Sequence, residues 1–132
     1  MSHFTTVQTQ IHDLVCLREA LKDLGYAFSE AEAGSKLRVK GYLGQATDAD
    51  LVIHASKTYD IGVCVGNAGV RFVADWWGVE TTRGVDEQQF VQLVTQRYAR
   101  SKVRQELAKR GYTLDVEEVT ADRSIHIRAR RF

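Results

Sequence analysis

The residues best equipped for chemistry are cations on two alternating stretches. In LRVKGYL, Arg38, Lys40 and Tyr42 fall on one side, with Leu37, Val39 and Gly41 on the other. In SIHIRAR, His126, Arg128 and Arg130 alternate with Ile125, Ile127 and Ala129, and Arg131 and Phe132 extend the run. Successive strand side chains point to opposite faces, so each stretch presents a row of positive groups. Arginines at such positions, beside aromatic rings, suit phosphates and stacked bases. They suit an acidic protein surface equally well. The plainer reading is that they keep an exposed face soluble and discourage edge pairing. Total charge does not favour nucleic acid, because the formal net charge is only +1 where a basic footprint is expected. The charge is uneven, however. Arg97 to Phe132 carries ten Lys/Arg against five Asp/Glu, a net +5, and the remainder carries eight against twelve, a net −4.

A second group of candidates is ADWWGVE. Read as the end of a strand, it sends the adjacent Trp76 and Trp77 to opposite faces. One ring is then core, and the other is either hidden by a helix or loop or free as a partner contact, a role in which Trp is enriched. The four histidines, His3, His12, His54 and His126, show no metal-site spacing. His54 lies where it could approach Cys64 across a hairpin, with Asp60 between them, but an ordinary polar strand face explains these residues more simply. Cys16 and Cys64 form no CxxC pair, which argues against a zinc knuckle or a redox dithiol. GNAG joins two strands and lacks the GxxxxGK[ST] of a phosphate loop. No serine sits in a nucleophile elbow. Glu30, Glu32, Glu117 and Glu118 read as acidic strands neutralising basic ones. We therefore expect no catalytic residues, no cofactor and no metal.

The elements that must position these residues are marked by glycine, since the chain has no proline. The first strand is expected over 3–10. Asp13 is placed as an N-cap, and Leu14, Leu17, Leu21 and Leu24 form one helical stripe that Gly25 closes. A short strand (YAFSEAEA) and LRVKGYL follow. DADLVIHA, YDIGVCV and VRFVADWW read as three further strands, joined by hairpins at ASKT and GNAG. Asp86 and Gln89 have the spacing of a capping box for a helix reaching Arg110, with a bend near Ala99 to Lys102. Gly111 closes that helix, and YTLDVEEV and SIHIRAR follow it.

LREALKDLGY, ending at Tyr26, aligns without gaps on VRQELAKRGY, ending at Tyr112. Each is followed by a strand and then a basic alternating strand. Either the chain contains two related βαββ units, 3–43 and 70–131 with an extra hairpin at 50–65, or the same cap chemistry has arisen twice. Both readings give one α+β domain over 1–132. Its expected form is a mostly antiparallel sheet of about seven strands, with two helices packed on one face and a basic face left free. A chain of 132 residues with 44% hydrophobic content sustains one such core. MSHFTTVQTQ is too polar for a secretory signal, and no run has the length of a membrane span.

MSHFTTV, LREALKDLGY, YDIGV and above all FVADWWGV followed by TQRYA resemble one family, the "hypothetical chloroplast reading frame thirty-five" group of cyanobacteria and algal plastids. The match runs from Met1 to at least Gly111. The stretch 62–68 departs from it, being shorter and more apolar than the family pattern. The resemblance implies a small protein of the cyanobacterial cytoplasm or plastid stroma that works with an ATPase of the AAA type; it carries over no activity, cofactor or catalytic residue.

The functional expectation is a non-catalytic binding or adaptor module. Its partner-binding residues are Arg38, Lys40, Tyr42, Trp76, Trp77, His126, Arg128, Arg130 and Arg131. RNA or other nucleic-acid binding by the same face is the alternative, and a metal-dependent enzyme is the third reading.

Overall fold

The computed structural model describes 4–41, 46–119 and 125–131, with side chains described through 111. Asp13 caps α1 (Leu14–Asp23) as expected, its Oδ1 accepting from the Cys16 amide at 3.2 Å. Of the leucine stripe, Leu17 and Leu21 are fully buried, and Leu14 and Leu24 pack at its margin. Gly25 and Gly111, at φ +82° and +79°, both take the left-handed conformation that ends a helix.

Five strands, β1 (Thr5–Gln8), β2 (Ala27–Glu30), β5 (Leu51–His54), β6 (Ile61–Cys64) and β7 (Arg71–Ala74), form one antiparallel sheet in the order β1-β7-β6-β5-β2. Alternation sorts its side chains. Leu51, Ile53, Ile61, Val63, Phe72 and Ala74 join the core shared with α1 and with α3 (Glu87–Lys109). The two helices thus cover the same face, as expected. Phe90 of α3 centres this core, its ring 5.6 Å from Tyr26, 5.1 Å from Phe72 and 5.7 Å from Trp76. The helices also grip each other. Tyr98 Oη accepts from the Asp13 amide at 3.2 Å, Lys102 Nζ lies 3.4 Å from Asp13, and Arg100 lies 3.6 Å from Asp23. The capping box of Asp86 and Gln89 forms, and α3 runs unbroken through Ala99 to Lys102, where a bend was expected.

The other face is not free. β3 (Leu37–Lys40) and β4 (Ala46–Ala49) pair as a separate antiparallel hairpin, and Val39, Ala49 and Val52 form a second apolar cluster. Gly62 makes this approach possible. A Cβ there would lie 2.6 Å from Val39 Cγ2, 2.8 Å from Val73 Cγ1 and 3.0 Å from Ala49 Cβ. The fold is therefore α+β in three layers: helices, five-stranded sheet and hairpin. The pattern of DADLVIHA predicts one strand where the structure has the end of β4 and all of β5, separated by Asp50.

The remaining strands, β8 (Tyr112–Val119) and β9 (Ile125–Arg131), pair antiparallel as a third sheet, with a register shift between Leu114 and Val116. The two stretches read as related differ in detail: α2 stands between β7 and α3 in the second, and β2 pairs with β5 and β3 with β4, whereas β8 pairs with β9.

Two further expectations need correcting. The two basic strands do not share one sheet, since β3 and β9 belong to different ones. Trp76 and Trp77 are not on a strand. They open α2 (Trp76–Arg83), capped by Asp75, whose Oδ1 accepts from the Gly78 amide at 3.2 Å. The apolar run VRFVADWWGV conceals a strand-to-helix junction at its single carboxylate.

Candidate binding surface and the Asp60 junction

The hairpin's outer side carries the charges the alternation predicts. Arg38 and Lys40 are exposed, while Val39 between them is fully buried against the sheet. Arg38 stands opposite Asp48, which is also exposed. Lys40 reaches inward along the surface, its Nζ donating to Lys57 O at 3.0 Å. That carbonyl lies in the loop 55–60 between β5 and β6, and α2 seats on the same loop. Gly78 rests on the Tyr59 ring so closely that no side chain fits between them. Thr82 Oγ1 donates to Ser56 Oγ at 2.9 Å, and Arg83 Nη1 donates to Ala55 O at 3.5 Å. One loop thus ties the cationic hairpin to the tryptophan helix.

Within that helix the two indoles part company. Trp76 is 8% exposed and packs on Phe90, whereas Trp77 is 55% exposed. The helical spacing of about 100° per residue separates them as a strand would have done, for a different reason. Tyr42 lies outside the described residues. His126, Arg128, Arg130 and Arg131 lie on β9, and their side chains are outside the described set.

Beneath Lys40 lies a feature that spacing rules miss. Asp60 is 2% exposed, and its carboxylate accepts from the Lys40 amide at Oδ2, 2.9 Å. Its Oδ1 lies 3.4 Å from His54 Nδ1, and His54 Nε2 lies 2.9 Å from Ser29 Oγ. His54 and Cys64 sit at opposite ends of the β5–β6 pair, since Ile53 matches Ile61 and Leu51 matches Val63. Cys64 packs instead at the hairpin cluster, where burial pushes its thiol above its ordinary range. Among the described residues, no three of His, Cys, Asp and Glu converge as metal ligands.

Fold and surface together define a small α+β domain that displays an aromatic ring and cations from rigid elements. The chain belongs to the family described as "Protein of unknown function (DUF1257)", which matches residues 20–127. It is similar to "Uncharacterized protein ycf35" of Guillardia theta, with 34% identity over 109 residues covering 78% of this chain and 76% of that protein. The proteins of the same name from Cyanophora paradoxa and Pyropia yezoensis are each 28% identical, covering all of this chain and 98% of each relative. The resemblance drawn from ADWWG and TQRYA is thereby confirmed. No solved structure matches the chain. No helix among the described residues is long and apolar enough to cross a membrane.

Proposed function

We propose that this chain is a protein-binding or adaptor module. Its contact surface is built on the outer side of β3–β4 and on α2, with Arg38 and Lys40 supplying charge and Trp77 supplying an apolar anchor. The observation that carries this reading is the contrast between Trp76 and Trp77. One indole is committed to the core, while the other stands half-exposed on a helix seated on the loop whose Lys57 carbonyl Lys40 reaches. An exposed tryptophan on a rigid element is the typical anchor of a binding hot spot, and flanking cations steer an acidic partner. The module works in an aqueous compartment, the plastid stroma or the cyanobacterial cytoplasm, and an ATPase of the AAA type is the first partner to test.

Affinity purification from such cells with the tagged chain tests this, run beside Trp77→Ala and the pair Arg38→Glu, Lys40→Glu. A protein recovered by the unaltered chain and lost from both variants supports the surface. Equal recovery by all three overturns it. Material released by nuclease, with binding that weakens steeply as salt rises, would make the partner a nucleic acid instead.

A further inference from the structure

We propose that Ser29, His54 and Asp60 form an acyl-transfer site for activated carboxylic esters, with Ser29 as nucleophile. This goes beyond the binding reading and is independent of it.

The geometry supplies the ordered set that such chemistry needs: a hydroxyl, a base within reach of it, and a carboxylate that orients the base. Ser29 Oγ lies 2.9 Å from His54 Nε2, and His54 Nδ1 lies 3.4 Å from Asp60 Oδ1. Each member has surroundings suited to its role. Asp60 is buried, and the Lys40 amide holds its second oxygen, so it is fixed where it faces the imidazole. A carboxylate at Nδ1 favours the tautomer with the proton there, which leaves the Nε2 lone pair facing the serine hydroxyl. The His54 side chain is 42% exposed and Ser29 is at the surface, so substrate can reach both.

The backbone explains how three distant residues meet. β2 pairs with β5 so that Ala27 stands opposite His54 and Ser29 opposite Val52. Ser29 and His54 therefore share a face, and only a methyl group at Ala27 stands across from the ring. Ile61 matches Ile53, which brings Asp60, immediately before β6, alongside His54. Burial of Asp60 accounts for a histidine beside it. It does not account for a serine at the far ring nitrogen.

In the reaction, Ser29 Oγ adds to the ester carbonyl as His54 Nε2 takes the hydroxyl proton. The C–O bond to the leaving group breaks, His54 returns the proton to the departing oxygen, and an alcohol leaves. Water then adds to the acyl-serine with His54 taking its proton. The acid departs and Ser29 Oγ is reprotonated, so the sum is ester plus water giving acid plus alcohol. At this open surface solvent donates to the developing oxyanion, which is why esters with good leaving groups are the class proposed.

The test uses the full chain with an alkyl fluorophosphonate, which phosphonylates an activated serine with loss of fluoride, and with p-nitrophenyl acetate. The expected result is an adduct mapped to Ser29 by tandem mass spectrometry. It should be absent in Ser29→Ala and form about 100-fold more slowly in His54→Ala. Added imidazole should restore part of the His54→Ala rate. Asp60 is a positioning residue, so in Asp60→Asn the kcat for p-nitrophenyl acetate should fall while KM holds. Absence of an adduct at Ser29, or an equal labelling rate in His54→Ala, overturns the proposal. Unchanged kcat in Asp60→Asn removes Asp60 from it. Ser29 and His54 lie at the surface, so their variants report even if Asp60→Asn fails to fold.

Discussion

The Lys40 amide donates to Asp60 Oδ2 at 2.9 Å, and the Asp60 amide donates back to Lys40 O at 3.1 Å. This reciprocal pair stitches the β3–β4 hairpin to the main sheet at its polar end, as Val39 and Gly62 join them at the apolar end. Replacing Asp60 with Ala would leave the Lys40 amide without its acceptor in a largely buried seam, at a cost of about 1–3 kcal/mol. Asp60→Asn, which keeps an acceptor, should lose less. Urea unfolding of both variants checks the ranking.

The apolar end is tested by Gly62→Ala. The added methyl meets Val39 and Val73 at distances no packed side chain holds, and crowds Ala49, so the hairpin must lift or the strands must shift. Overpacking of this kind typically costs roughly 1–3 kcal/mol. A lower urea midpoint with an unchanged slope is the expected outcome.

The tryptophans should separate in stability as they do in structure. Trp76→Ala empties the space beside Phe90 and should cost about 3–5 kcal/mol. Trp77→Ala should stay within about 0.5 kcal/mol, as for other surface changes. Thermal melts of the two proteins compare them directly.

Asp13 gives the chain an acid-sensitive element. The Cys16 amide, and beyond it Gln105 and Lys102, hold its carboxyl below the ordinary value of 3.8, against an opposing contribution from burial. The folded state therefore binds this proton less readily than the unfolded chain does. The resulting stability is fully present above pH 3.8 and is lost as the pH falls through the lower folded value. Asp13→Ala should cost about 0.5–2 kcal/mol near neutrality through loss of the cap. Its stability should then decline less steeply over that acid window, as measured by urea titration across pH.

Burial raises the Cys16 and Cys64 thiols alike, but only Cys16 is fully enclosed. Iodoacetamide should modify Cys64 slowly in the native protein and reach Cys16 only in denaturant. Intact-mass measurement over time distinguishes one adduct from two.

Much of this structure can be read from local chemistry. Asp13, Asp86 with Gln89, and the glycines at 25 and 111 announce their helix ends because capping is settled within four residues. Val39 declares its inward side because alternation is local too. Asp75 carries the same capping signal, but it stands inside an apolar run with glycine at the third helical position, so no capping box flags the start of α2. The layer built by β3 and β4 was not legible either, because nothing near LRVKGYL says which surface Val39 will find. His54 and Asp60 stand out as neighbours in the sequence, but Ser29 is invisible for the same reason: it meets the ring only through the register of β2 on β5.

The hairpin's grip on Asp60 has one more consequence. Lys40 sets its ammonium on the Lys57 carbonyl and its amide on the carboxylate beside His54, so a single residue joins the hairpin to both the 55–60 loop and the partner of the imidazole. A visitor that pries β3 outward would pull the brace from behind the ring and let it swing away from Ser29. Strain placed on the hairpin would then be felt at the ring, through the Lys40–Asp60 bond.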